Sequence, residues 1–145
     1  IKMNNKVIKL FLRFAISFGF LSAVADRFGL CSQEISTWGN WENFLSFTKL
    51  INPWFPDSII PTIGTIATVA EIIFAVFLII GFKTELFAKL SGFLLLMFAL
   101  SMTFSIGIKS TFDYSVFIAS AGSFALSIMK EKYLELDILI FKSKT

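Results

Sequence analysis

The sequence predicts an all-α protein: a four-helix transmembrane bundle with an aromatic-rich extracytoplasmic loop between its first and second helices. Hydrophobic residues make up 56% of the 145. The mean hydropathy of +0.79 is too high for a soluble fold that must cover itself with polar surface. Four apolar segments follow one another, and all three tryptophans lie between the first two. At this length we expect a single domain, residues 1–145.

The first predicted span covers residues 7–25. Basic residues precede it and no small-residue cleavage site follows it, so we expect a retained span rather than a signal peptide. Lys9 lies near its start, where an ammonium group can reach the headgroups. Arg13 lies about 9 Å inside the span by helical rise, which is too deep for an ordinary anchor.

Residues 28–58 form the predicted loop, which is rich in tryptophan, phenylalanine, glycine, asparagine and proline. Tryptophan favours the membrane–water interface because its ring is apolar and its N–H is hydrated. Within the loop, residues 41–51 predict a short interfacial helix with Phe44, Phe47, and either Leu50 or Ile51 on one face. Asn52-Pro53 and Phe55-Pro56 should turn the chain back toward the membrane.

The second predicted span, residues 59–81, carries one carboxylate, Glu71, near its middle. Small and polar residues recur around it at three- and four-residue steps, so they share one helix face. They are Gly64, Thr65, Thr68 and Ala75. The third span is predicted at residues 86–108, joined to the second by a short turn and therefore antiparallel to it.

The fourth span is predicted at residues 113–129, with Asp113 capping its first turn. Its small residues, Ser115, Ala119, Gly122 and Ala125, predict a face packed against another helix. The remaining tail, residues 130–145, mixes charged and apolar residues and is too short for a fifth span. We expect the tail to lie along the membrane surface.

The distribution of Lys and Arg predicts the orientation. The N-terminal flank, the turn near Lys83 and the tail hold most of the basic residues, whereas the other side has few. Because basic loops stay in the cytoplasm, both termini should be cytoplasmic. We expect a multi-pass protein of the bacterial inner membrane, in contact with the lipid bilayer.

Two groups of charged residues are candidate sites. We hypothesise that Arg13 pairs with Glu71 inside the bundle, because their predicted depths differ by less than an arginine side chain. This pair, with Thr68 and Ser101, would either fix the register of two helices or form a ligand-binding pocket. The second group, at the outer ends of the spans, would latch the rim or contact solvated headgroups. Its members are Asp26, Arg27, Lys109 and Asp113.

Several kinds of chemistry lack candidate residues. The chain has no histidine and a single cysteine, Cys31, so the usual haem ligand and an intrachain dithiol are missing. We predict no metal site and no evident cofactor. The serines are expected to donate hydrogen bonds between helices, since no base accompanies them. The basic residues flank apolar segments and do not form a run with aromatic residues, so nucleic acid is not expected as a partner.

Four features of the sequence point to a known family: residues 20–29 (FLSAVADRFG), Asn52-Pro53, the mid-span Glu71, and residues 109–117 (KSTFDYSVF). With these features the chain resembles the DoxX family of small four-helix membrane proteins, over roughly residues 11–127. The resemblance implies a membrane subunit that binds a quinone or another lipid-soluble molecule in a membrane redox system.

Three functional hypotheses remain open. The first is this quinone-binding subunit, and any enzyme role would be that of an accessory subunit of a quinone-linked oxidoreductase. The second is a structural or assembly protein that docks a partner protein or forms a homodimer. The third, a small transporter, has the least support, because the sequence has no evident inverted repeat and no mid-span helix break.

Overall fold

Helices account for all the regular structure in the computed structural model, which describes residues 4–141. In chain order they are α1 (Asn5–Arg27), α2 (Trp41–Ile51), α3 (Ile60–Ile80), α4 (Thr84–Ile106), α5 (Ile108–Asp113), α6 (Val116–Ile128) and α7 (Leu136–Phe141). A 3-10 turn, Asp57–Ile59, leads into α3. The all-helical prediction is confirmed for these residues. Three helices, α1, α3 with its 3-10 turn, and α4, are long and apolar enough to cross a membrane.

Local sequence signals set the helix ends. The Asn4 side chain accepts a hydrogen bond from the Lys6 amide at the start of α1. Asn40 does the same for Asn43 at the start of α2, and such caps satisfy amides that have no partner inside the helix. The bounds of α2 agree with the predicted short helix. Its buried face consists of Phe44, Thr48 and Ile51, so Ile51 and not Leu50 points inward.

The long helices pack in two close pairs. α1 lies on α3 and α4 lies on α6, and the short turn after α3 makes α3 and α4 neighbours. Close contact between α4 and α6 depends on Gly92, because a Cβ there would lie 2.8 Å from the Phe124 ring. Ser120 also donates a 2.8 Å hydrogen bond to the Gly92 carbonyl. This is the small-residue, polar contact expected between apolar helices.

The predicted fourth span is interrupted. Instead of one helix over residues 113–129, α5 ends at Asp113 and α6 begins at Val116. Ser115, between them, has a φ of 57°, which breaks the helical path. Asp113 therefore does not cap the following helix; it ends α5. At 13 residues, α6 is shorter than the roughly 17–25 residues of an ordinary membrane crossing.

The packed face of α6 also differs from the predicted one. Ser120, Ser123 and Ser127 are buried. By contrast, Ser115 and Ala125 are exposed, and Ala119 and Gly122 are only half-buried. The predicted face was wrong because serine packs between helices as readily as alanine when its hydroxyl bonds a carbonyl, as Ser123 does to Ala119.

The tail closes one end of the helices. We call this the tail end, which holds Asn5, Gly81 and residues 130–141, and we call the opposite end, with α2 and residues 28–40, the loop end. Lys9, buried in α1, forms a 2.8 Å ion pair with Glu135. Its ammonium also donates to the Glu131 carbonyl at 2.6 Å. Glu135 and Asp137 are buried in this contact, whereas residues 132–134 are exposed. The surface-lying tail stays a prediction, and residues 142–145 lie outside the described part.

Arg13 connects three segments at the tail end. Its guanidinium donates to the carbonyls of Leu78 and Ile79 at the end of α3, each at 2.8 Å. It also donates to the carbonyls of Tyr133 and Leu134 at 3.0 and 2.9 Å. The last carbonyls of a helix have no intrahelical donor, so they are natural partners for a buried cation. Arg13 therefore fixes both α3 and the tail to α1.

Gly81 makes this arrangement possible. It ends α3 in the left-handed conformation, with a φ of 72°. A Cβ at this position would lie 2.5 Å from the Glu135 Cα and 2.7 Å from Arg13 Nη2. Glycine is therefore required both by the backbone conformation and by the close approach of the tail.

We predict that Arg13→Leu destabilises the protein by about 3–5 kcal/mol, because it removes the charged donor and leaves buried carbonyls unsatisfied. Chemical unfolding in detergent micelles measures this loss. Lys6→Leu is the matched control, since Lys6 lies in the same helix and is exposed. Equal stability of the two variants would contradict the role given to Arg13.

Candidate functional site

A cavity of about 560 Å³ lies between the helices, toward the loop end. We call it the central cavity. Residues of α1, α2, α3, α4 and α6 line it, and most of them are apolar. The polar lining residues are Arg27, Thr37, Trp38, Thr48, Asn52, Glu71 and Tyr114. The cavity is thus an apolar space with a restricted polar wall, the usual composition of a small-molecule site.

The polar wall centres on an ion pair between Arg27 of α1 and Glu71 of α3. Nη2 of Arg27 donates to Oε1 of Glu71 at 2.9 Å, and Nη1 lies 2.5 Å from Oε2. Nη1 directs its aligned hydrogen bond to the hydroxyl of Thr68, at 2.8 Å. The two charged residues are only 3% and 1% exposed. Partners of opposite charge make such burial tolerable.

Aromatic rings cover the guanidinium of Arg27 from the loop end. Its central carbon lies 4.0 Å from the Phe44 ring centroid and 5.4 Å from the Trp38 centroid. The two rings meet edge to face, with centroids 5.4 Å apart. Both distances to the guanidinium fall in the range of cation–π attraction. Phe44 of α2 and Trp38 of the loop therefore cover the charged pair, and both rings also line the cavity.

Three buried polar atoms around the cavity lack an aligned hydrogen-bond partner among the described residues. They are Nε of Arg27, Nε1 of Trp38 and Oε2 of Glu71. Leaving a buried donor or acceptor unsatisfied costs about 1–3 kcal/mol. Two N–H donors thus lack an acceptor on residues that line the same cavity, and Oε2 of Glu71 has only its close contact with Nη1 of Arg27. An oxygen-bearing ligand would satisfy these groups.

Asp26, next to Arg27 in sequence, fixes the loop over the cavity. Its carboxylate accepts backbone N–H bonds from Thr37 and Trp38, each at 2.9 Å, and from Gly39 at 3.3 Å. It also accepts a short hydrogen bond from the Ser36 hydroxyl. These bonds hold the segment that carries Trp38, so Asp26 positions a wall of the cavity without lining it.

The structure does not bring Arg13 and Glu71 together, so the predicted pair is wrong. Arg13 binds carbonyls at the end of α3, and the partner of Glu71 is Arg27. The depth argument failed because it compared distances along the helices and ignored the free carbonyls at the helix end. It also treated Arg27 as a rim residue, although an arginine at a helix end can extend toward the middle of its neighbour.

The predicted outer-rim cluster does not form. Lys109 pairs with Asp113 one turn away, at 2.8 Å, and both side chains are largely exposed. Asp26 and Arg27 are instead buried, with separate partners. Of the other predicted ligand-binding residues, Thr68 lies beside the ion pair. Ser101 donates to the cavity-lining Asn52 at 3.1 Å.

Sequence reasoning missed Trp38 and Phe44 as parts of the site. Both were assigned to an aromatic loop or an interfacial helix, and nothing in their spacing distinguishes a ring over a cation from a ring in the headgroups. The adjacent charges Asp26-Arg27 were the available signal. At the end of an apolar helix, one of two adjacent charged side chains can bind the following loop while the other binds a neighbouring helix.

No group of three or more His, Cys, Asp and Glu residues within the described range could hold a metal ion. No family model, curated protein or solved structure matches this chain. The DoxX resemblance therefore stays a prediction.

We predict strong coupling between Arg27 and Glu71. Arg27→Met and Glu71→Met should each cost about 3–5 kcal/mol of unfolding free energy, because each leaves a buried charge without its partner. The double variant should cost less than the sum by about 1–3 kcal/mol. Unfolding in detergent of the wild type, both single variants and the double variant measures the coupling.

The exposed pair Lys109–Asp113 provides the matched control. The same four-protein comparison with Lys109→Met and Asp113→Met should give a coupling of about 0.3–0.5 kcal/mol. Similar coupling at both sites would mean that burial adds nothing to the Arg27–Glu71 pair.

Proposed function

We propose that this chain is a four-helix integral membrane protein that binds a quinone, or a lipid-soluble molecule of similar chemistry, in its central cavity. One observation carries the proposal: three residues that line an otherwise apolar cavity hold polar atoms without an aligned hydrogen bond. These atoms are Nε of Arg27, Nε1 of Trp38 and Oε2 of Glu71, the last in contact only with Arg27. The function that fits is the capture of a small amphiphile from the bilayer.

The polar wall favours an uncharged head group that contains oxygen atoms. Arg27 and Glu71 neutralise each other, so a charged ligand would disturb the pair. Carbonyl oxygens can accept from Arg27 Nε and Trp38 Nε1, and a hydroxyl can donate to Glu71 Oε2. A quinone offers the first of these groups and its reduced form offers the second.

The size and lining of the cavity also support this ligand class. A volume of about 560 Å³ lies within the roughly 300–1,000 Å³ of small-molecule sites. Phe20, Phe44, Phe47 and Phe98 present rings to the cavity, against which a flat head group can pack. The DoxX resemblance is consistent with this role and supports placing the protein in a membrane redox system as a small subunit.

Ligand retention and binding test the proposal. In lipid nanodiscs, organic extraction of the wild type should yield a near-stoichiometric quinone, and the Arg27→Met/Glu71→Met double variant should yield none. Trp38→Phe keeps the ring but removes the donor, so binding should weaken about tenfold, the effect of losing roughly 1.4 kcal/mol. Trp54→Phe is the control, because Trp54 is exposed.

Titration with a soluble benzoquinone, followed by quenching of tryptophan fluorescence, gives the affinities even when no native ligand survives purification. The absence of both a retained compound and saturable quenching in the wild type would contradict the proposal. Arg27 and Glu71 would then form a structural pair.

We further propose that the tail end is cytoplasmic and that the chain resides in a bacterial inner membrane, as the Lys and Arg distribution favours. Single cysteines in a Cys31→Ser background test the orientation. A membrane-impermeant maleimide should label Leu30→Cys in intact cells, since Leu30 is 78% exposed in the loop. Lys6→Cys should react only after permeabilisation. Labelling of Lys6→Cys from outside would reverse the orientation.

A further inference from the structure

The central cavity is elongated along α1. Its lining includes Leu12, Ile16, Gly19, Ala23 and Arg27, which recur at three- and four-residue steps and so share one face of the helix. From Leu12 to Arg27 this face extends for about 22 Å at about 1.5 Å per residue. The ion pair lies at one end, and the rest of the face is apolar. This shape fits a molecule with a polar head and a long apolar chain.

The cavity has a thin wall between α1 and α6. α1 packs far more extensively on α3 than on α6. Ala15 and Gly19 on α1 and Ile118 on α6 line the cavity and are exposed residues. The cavity is therefore weakly enclosed along the space between α1 and α6, which we call the slot.

Small residues leave the slot between α1 and α6 open. A Cβ added at Gly19 would meet no atom within 4 Å, and one at Gly122 would meet only Leu12 Cδ2, at 3.9 Å. Glycines between membrane helices normally allow the backbones to approach closely, as Gly92 does beneath Phe124. At Gly19 and Gly122 the space is left empty instead.

We infer that the ligand carries an apolar chain, which lies in the slot between α1 and α6 and passes Gly19 and Gly122 into the bilayer. This inference rests on the proposed function and adds the route of entry and the class of ligand: a neutral, oxygen-bearing head on a chain. The polar end supports it independently of the small residues, since Arg27 is 3% exposed, lines the cavity and has an Nε–H without an acceptor.

The apolar chain of the ligand must fit the slot sterically, but it adds little to the binding affinity. Because lipid is as apolar as the slot, a chain gains little free energy by moving from one to the other. A bulky side chain in the slot should therefore exclude a chain-bearing ligand and leave the head group's own binding intact. The two effects on binding therefore distinguish the role of the slot from that of the head-group site.

The experiment compares two benzoquinones in nanodiscs, one with a decyl chain and one without, with concentrations expressed per lipid molecule. Wild type should bind both with similar affinity. Gly19→Phe and Gly122→Phe should each weaken the decyl compound by at least about tenfold, a loss of roughly 1.4 kcal/mol. Both variants should bind the chainless compound within about threefold of wild type, since the polar wall is unchanged.

Ser22→Phe is the matched control, because Ser22 is exposed on α1 and does not line the cavity. It should bind both compounds as wild type does, and thermal unfolding checks that every variant is folded. Wild type that binds only the chainless compound, or slot variants that still bind the decyl compound normally, would overturn the inference and leave the proposed function standing. Wild type that binds neither compound would overturn both.

Discussion

The ion pair of Arg27 with Glu71 is the interaction on which the loop end depends. It joins α1 to α3 where the two helices enclose the central cavity, and it provides the cation that the Phe44 and Trp38 rings cover. A lone charge at this position would be costly to bury, whereas the pair, with Thr68, shares the cost. Its imperfect hydrogen bonding leaves unsatisfied polar atoms on residues that line the cavity, so the residues that stabilise the fold are also those to which we assign ligand binding.

Asp26 and Arg27 divide two tasks between adjacent positions of one helix. The Asp26 carboxylate accepts hydrogen bonds from backbone amides of the loop, and the Arg27 guanidinium donates to Glu71 of α3. The loop is thereby tied to the same turn of helix that holds the buried cation. Any change in the position of that turn therefore moves the aromatic cover, Phe44 and Trp38, together with the polar wall.

The sequence was sufficient for the three long helices and for α2, because their apolar length and their caps are local properties. It was insufficient for the partners of Arg13, Arg27 and Glu135. A buried arginine can bind a carboxylate or several backbone carbonyls, and sequence does not distinguish these partners. The break at Ser115 was also missed, since the residues on both sides are compatible with a continuous helix.

The charges at the tail end carry a consequence for biosynthesis. Arg13 and its carbonyl partner on Tyr133 are 120 residues apart. At about 5–20 residues per second, roughly 6–24 s separate the synthesis of the two. Until then Lys9 and Arg13 lack their partners in the tail, although the Leu78 and Ile79 carbonyls that Arg13 also binds are made earlier. An arginine near the middle of an inserted helix costs about 2.5–3.5 kcal/mol. The packing of the tail against α1 therefore satisfies buried charges that no earlier part of the chain satisfies fully.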